Sequence, residues 1–140
     1  MVKDLIKKES SSVTTDTINN ESEKEVKEIT ALKEHMLKEE PYLDPNLSVS
    51  SLANKMNILD KELSVLINHH LNQHFFDFVN SYRIEKAMQL LEDPSKKNHT
   101  VLEILYEVGF NSKSSFNTAF KKYAQLTPTE YRKTNLKTAS

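Results

Sequence analysis

Asn117, Thr118 and Lys121 lie three, four and seven residues after Ser114, so a helix would carry all four on one face. Lys61, Ser64, Val65 and Asn68 repeat the same spacing. Side chains of these types can read a nucleic acid. Asn pairs with adenine through two hydrogen bonds, Lys meets guanine acceptors, and Val packs on a thymine methyl. An ordinary solvated face would have the same composition, and spacing alone does not separate the two. Three histidines offer a second chemistry, since His70 and His74 are four apart and lie close to His69. No cysteine or HExxH-type carboxylate accompanies them, whereas a catalytic zinc site takes three ligands and an open position. There is no nucleophile elbow, glycine-rich phosphate loop or recognisable acid pair. The expectation is a chain without enzymatic activity and without a cofactor.

Helices must position these faces. Residues 10–22, SSSVTTDTINNES, have almost nothing to bury, and residues 1–22 are expected to form a flexible polar leader. From Glu23 to Glu39, Val26, Ile29, Leu32 and Met36 fit one amphipathic helix, stopped by Pro41. A short dimerising coiled coil is the alternative use of that helix. Ser48 can cap a helix that turns Val49, Leu52, Ala53 and Met56 inward. Asn57 then suits a left-handed turn, and Asp60 can cap a helix carrying Leu63, Leu66, Ile67 and Leu71. A long helix is predicted over about 75–91, with Phe75, Val79, Tyr82, Ile84, Ala87, Met88 and Leu91 inward. Thr100 with Glu103, and Thr127 with Glu130, have the capping-box pattern, the second with Pro128 at the favoured first position. Between them, Gly109 and Phe110 turn the chain, and Phe116, Ala119, Phe120 and Tyr123 anchor the next helix. Gly109 is the only glycine, which suits a turn needing positive φ. No stretch alternates with period two, so the fold class is all-α, with about seven helices.

The 140 residues suffice for one domain and a tail. No apolar run approaches the roughly 18 residues of a membrane span. A chain without cysteine suits a reducing cytoplasm. The net charge of −1 hides an asymmetry. Residues 1–40 carry seven Lys against ten acids, whereas residues 109–140 carry five Lys and one Arg against Glu130 alone. The C-terminal end therefore suits a polyanion.

The two short-helix pairs align with each other. Ser48, Leu52, Met56, Asn57 and Ile58 correspond, 52 positions on, to Thr100, Ile104, Val108, Gly109 and Phe110. Past the turn the offset is 53, matching Leu63, Leu66 and Ile67 with Phe116, Ala119 and Phe120. One chain thus holds two helix-turn-helix subdomains, about 48–71 and 100–123, joined by a linker helix about 25 Å long at 1.5 Å per residue. Such a connector could hold two recognition helices near the roughly 34 Å between successive major-groove faces. One molecule would then do what simpler helix-turn-helix proteins do as dimers.

The segments SLANKMNILDKELSVLI, FFDFVNSYRIEKAMQLL and VLEILYEVGFNSKSSFNTAFKKYAQLTPTEYR resemble the AraC/XylS family of bacterial transcription regulators over about residues 41–133. The match is most specific in Gly109-Phe110, Ser112, Phe116, Phe120 to Lys122 and Thr127 to Arg132. The resemblance implies double-stranded promoter DNA as the partner, contact near RNA polymerase, and a DNA-binding domain over 23–140 ending in a helix at about 128–135. Carried over by position, the recognition helices are about Asp60 to Leu71 and Ser112 to Tyr123. Lys61, Ser64, Val65 and Asn68, then Ser114, Asn117, Thr118 and Lys121, become the DNA-facing residues. Lys122, Arg132 and Lys133 become phosphate contacts, with a structural role for Arg132 as the alternative.

The first subdomain departs from the pattern. Leu59 stands where serine is usual, Ile67, Asn68, His69 and His70 stand for a phenylalanine and lysines, and Asn72 for a glycine. Fewer fixed charges release fewer counterions, so the C-terminal half is expected to supply more electrostatic affinity. The stretch KEEPYLDPNLSVSSLA also resembles a branch in which this domain is the cytoplasmic end of a larger, often membrane-anchored receptor. A C-terminal fragment of such a receptor is expected in preference to a stand-alone regulator, with the effector or sensor portion outside this chain. The competing reading is a helical protein-interaction module without DNA binding, using Phe75, Phe76 and Phe78.

Overall fold

The computed structural model describes residues 16–136, which form seven α-helices and no strand. Helix α1 is Asp16–Glu39. A left-handed Glu40 (φ 50°) and a 3-10 turn at Pro41–Leu43 lead into α2, Val49–Lys55, and α3, Asp60–Val65. The linker helix α4, Phe75–Glu92, is followed by a 3-10 turn at Pro94–Lys96. Then come α5, Val101–Glu107, α6, Lys113–Ala124, and α7, Pro128–Asn135. Contacts divide the chain after Glu34, and the compact unit from His35 onward contains both helix pairs.

Helix α1 starts seven residues before the expected Glu23. Residues 16–22 were assigned to the flexible leader and are helical instead. Once a helix has nucleated, each added residue gains a bond at little cost, and Thr or Asn loses only tenths of a kcal/mol against better formers. The remainder of the expected leader, residues 1–15, lies outside the described residues. On the expected apolar face, Leu32 and Met36 are fully buried but Val26 is 61% exposed.

The cap chemistry largely agrees with the sequence. Ser48 caps α2 reciprocally with Ser51, Thr100 caps α5 with Glu103, and Thr127 caps α7 with Glu130. The exception is α3. Asp60 does not cap it; it is the first helical residue, and its carboxylate accepts from the Ser50 hydroxyl. The cap position belongs to Leu59, whose side chain cannot accept a bond, so only the Glu62 carboxylate to Leu59 N–H half of the box forms, at 2.9 Å. At the corresponding place in the second pair, Ser112 Oγ accepts from Ser115 N–H at 3.1 Å. Because Leu59 is 70% exposed, Leu59→Ser removes little burial and completes the cap. Its expected effect is about 1 kcal/mol of added stability. A melting temperature no higher than that of the parent would show that the cap bond does not form.

Helix α4 buries Phe78, Val79, Ile84, Ala87 and Leu91 and packs against α5, α6 and α7. Around its C-terminal half lies one continuous core of Ile104, Leu105, Val108, Phe110, Phe116, Phe120 and Tyr131. Fully burying each such side chain is worth roughly 1.5–3 kcal/mol. The first pair buries Leu52, Ala53, Leu63, Leu66 and Ile67. Phe78, whose helical spacing with Phe75 and Phe76 suits packing against the subdomains, is buried, and so is Arg83, which periodicity passed over, at 5% exposure. Conversely, Phe76 is 59% exposed and Phe75 only half-buried, their rings meeting edge to face.

Candidate nucleic-acid interface

The internal repeat is exact at the level of backbone bonds. In the first turn, Asn57 N–H donates to Asn54 O and Ile58 N–H to Ala53 O; in the second, Gly109 N–H donates to Tyr106 O and Phe110 N–H to Leu105 O. Both pairs are 52 positions apart. The turn residues are left-handed alike, Asn57 at φ 60° and Gly109 at φ 105°. The repeat also runs further than the matched apolar residues. Asn72 (φ 54°) and Gln125 (φ 65°), 53 apart, both take the left-handed conformation that terminates a recognition helix. Asn72 stands where the resemblance has a glycine, which marks the first place, whereas nothing in the sequence marked Gln125.

Between those ends the two recognition helices differ. Helix α6 is regular for twelve residues. Helix α3 has α geometry only to Val65, and Leu66–His70 then widens into a π turn in which Leu71 N–H reaches back to Leu66 O at 3.0 Å. The expected single helix to Leu71 is therefore corrected. Asn68, His69 and His70 are weak helix formers and resist the wider turn little. Leu66 and Ile67 stay buried through it, and Asn68, His69 and His70 are exposed. Among the described residues no group of His, Asp and Glu could hold a metal ion.

On α6, Ser114, Asn117, Thr118 and Lys121 are all exposed, opposite buried Phe116, Ala119 and Phe120. The helix stands as a ridge between two grooves. Ser114 and Thr118 border one with Asp77 and Asn80 of α4. Lys113 and Asn117 border the other with Leu102, Thr127 and Pro128. On α3 and its continuation, Lys61, Val65 and Asn68 are exposed and Ser64 is half-buried. Asn68 borders a third groove with Gln73, His74, Asp77, Lys122 and Tyr123. This groove and the Ser114 groove share Asp77, Lys122 and Tyr123. Asn68 of the first subdomain and Ser114 and Thr118 of the second therefore open onto one side of the linker helix.

Side-chain bonds hold this side together. Tyr123, expected as a core anchor, is 37% exposed and instead donates its hydroxyl to Asp77 O at 3.0 Å. Burial raises its phenol above the ordinary value, so the hydroxyl keeps its proton and remains a donor. Lys122 Nζ lies 3.6 Å from Asp77 Oδ1 and over the Tyr123 ring. Arg132 takes the structural alternative rather than that of a free phosphate contact. Its guanidinium donates to His99 O at 2.6 Å and Lys96 O at 3.3 Å, fastening the 94–99 loop to α7. Lys133 remains exposed. Arg83, missed in the sequence, donates to Tyr42 O at 2.7 Å, Asp44 O at 2.9 Å and Asn80 Oδ1 at 3.0 Å, and it lies over the Phe110 ring. It joins the loop before the first subdomain to the linker helix and to the turn of the second. A charged side chain inside an apolar helix pattern was its only sequence signal.

A family model described as a helix-turn-helix domain matches residues 52–134. YdeC, an HTH-type transcriptional regulator of Bacillus subtilis, is 32% identical over 89 residues, which are 64% of this chain and 30% of that protein. HptR, a transcriptional regulatory protein of Staphylococcus aureus, is 30% identical over 87 residues, 62% of this chain and 33% of that protein. The chain thus spans about a third of the length of these curated relatives. Among solved structures, the C-terminal domain of the response regulator AraT from Geobacillus stearothermophilus matches with a TM-score of 0.65 and 27% identity, covering 79% of this chain and 87% of that one. The C-terminal domain of the two-component response regulator yesN from Fusobacterium nucleatum gives 0.62 and 31%, covering 76% and 98%. With a matched family model over more than half its length and two helix-turn-helix subdomains on one linker helix, the chain belongs to the AraC-type helix-turn-helix family.

Proposed function

We propose that this chain is a sequence-specific, double-stranded DNA-binding transcription regulator that sets α3 and α6 into successive major grooves. The observation that carries the reading is the groove system along α4, bordered by Asn68 of one subdomain and by Ser114 and Thr118 of the other. Two recognition faces opening to one side are what a single stretch of duplex requires. In this reading Lys61, Ser64, Val65, Asn68, Ser114, Asn117, Thr118 and Lys121 face bases, and Lys122 and Lys133 face phosphates. Contact with RNA polymerase and attachment to an effector or receiver portion belong to the same proposal. They are supported by curated relatives that are named regulators and are about three times as long, and by the likeness to the C-terminal domain of a response regulator. No helix among the described residues is long and apolar enough to cross a membrane.

Anisotropy titrations on a duplex selected from a random-sequence library, over a salt series, test the reading. Asn117→Ala is expected to lose about 1–3 kcal/mol at one or two base pairs. Lys121→Ala should weaken binding and flatten the salt dependence more than Lys61→Ala does. A preference unchanged by replacing both Ser64 and Asn117 would remove the assigned reading faces, and equal flattening by the two lysine variants would remove the asymmetry.

A further inference from the structure

The groove between the two subdomains contains a charge arrangement that neither reading face explains. It encloses about 480 Å³, against a share of roughly 30 Å³ for one water. Polar groups converge on it beside the Tyr123 ring: amides from Asn68, Asn72 and Gln73, the His74 imidazole, and Lys122 paired with Asp77. The Lys122 side chain is 61% exposed and that of Asp77 43%, so this pair is open to exchange with another anion. Asp77 lies in the first turn of α4, where a carboxylate is favoured by the helix dipole, and the neighbouring Tyr123 hydroxyl is spent on the Asp77 carbonyl. The carboxylate lines the groove beside Lys122. Among the described residues the Lys122 ammonium is held only by the pair at 3.6 Å and the face of the Tyr123 ring.

Resting on the DNA reading, we propose that this groove seats one sugar-phosphate strand of the duplex between the two contacted major grooves. A backbone phosphate there takes Lys122 from Asp77, which acts as an internal competitor that holds affinity down. The phosphate satisfies Lys122 as Asp77 does, and the Asn72 and Gln73 amides supply neutral donors to its oxygens. The carboxylate left behind faces the phosphate and repels it. Affinity for every sequence is lowered alike, because no base edge is involved.

Removing the carboxylate alone should therefore tighten binding, the opposite sign from most changes in a binding site. Asp77→Asn, with Asp77→Ser as a second variant that also suits a first helical turn, is expected to bind the selected duplex about fivefold tighter at low salt. Base preference should not change, and the salt slope should steepen by up to about 0.9. Lys122→Gln should bind more weakly with a slope shallower by about 0.9, and in that background Asp77→Asn should tighten binding clearly less than in the parent, because only the repulsion of the phosphate is then relieved. Ethylation of single phosphates between the two contacted segments should block the parent protein and not Lys122→Gln. Unchanged or weaker binding by both Asp77 variants, at parental melting temperature, would overturn the proposal. So would a Lys122-dependent rise in melting temperature with inorganic phosphate at constant ionic strength, which would make the groove a free-anion site. If no duplex is selected at all, the DNA reading itself fails. If Asn117→Ala alters base preference while the Asp77 variants are silent, only the groove assignment fails.

Discussion

Gly109→Ala is expected to destabilise the protein by about 3–5 kcal/mol, far beyond the usual cost of alanine in a left-handed turn. Two independent effects add. At φ 105° any L side chain is strained, at roughly 1–3 kcal/mol. A Cβ built at Gly109 would also lie 2.3 Å from the Tyr42 carbonyl oxygen and 2.8 Å from Arg83 Nε, so the turn and the Tyr42–Leu43 backbone would have to separate. That overpacking costs about another 1–3 kcal/mol. For a domain of this size the sum lowers the melting temperature by roughly 10–20 °C. The equivalent residue of the first turn supplies the control. Asn57 is left-handed at φ 60° and exposed, so Asn57→Ala should cost only about 1 kcal/mol. Equal losses at the two positions, read by circular dichroism melts, would show that the turn conformation alone requires the glycine. At temperatures where both variants remain folded, Gly109→Ala should also bind DNA more weakly, because the displaced turn sets the entry of α6.

The sequence showed that Gly109 turns the chain but not that it makes room for a hydrogen bond. Positive φ is a local property that a lone glycine between two periodic segments betrays. The approach of Tyr42, 67 positions earlier, is tertiary and leaves no mark on spacing. The same division runs through the rest of the molecule. Caps at Ser48, Thr100 and Thr127 were legible because donor and acceptor lie three residues apart. The paired turns were legible because the repeat brings similar residues to the same offsets. The π turn after Val65 was not, since Asn68, His69 and His70 fit a plain helix equally well in pattern. On the candidate site, periodicity correctly exposed Ser114, Asn117, Thr118 and Lys121. It could not tell that Arg132 would be spent on the carbonyls of Lys96 and His99, because those partners lie more than thirty positions away. Nor could it pair Lys122 with Asp77 across the groove.

Arg83→Met should cost about 3 kcal/mol, the second large effect, although methionine suits both the helix and the apolar surroundings. The guanidinium is buried and satisfied by two carbonyls and an amide oxygen from three residues. Burial pulls its pKa below the ordinary arginine value, but the group keeps its charge, which shortens and strengthens those bonds. Without it, buried Tyr42 O loses its side-chain donor, at about 1–3 kcal/mol, and the charge-assisted bond to Asp44 O is lost as well, although that carbonyl is exposed and keeps the Leu47 N–H. Lys is no substitute, since one ammonium cannot fork to acceptors so placed. Arg83→Lys should therefore recover less than half the loss. The two large effects are also coupled through shared atoms, because the Cβ of Gly109→Ala would push on Arg83 Nε as well as on its acceptor. The double variant is expected to lose at least about 1 kcal/mol less than the two single losses together. Strict additivity in denaturant melts would mean that the Tyr42–Arg83 bond survives alanine at 109, and that the glycine and the arginine secure the two subdomains to the linker helix independently.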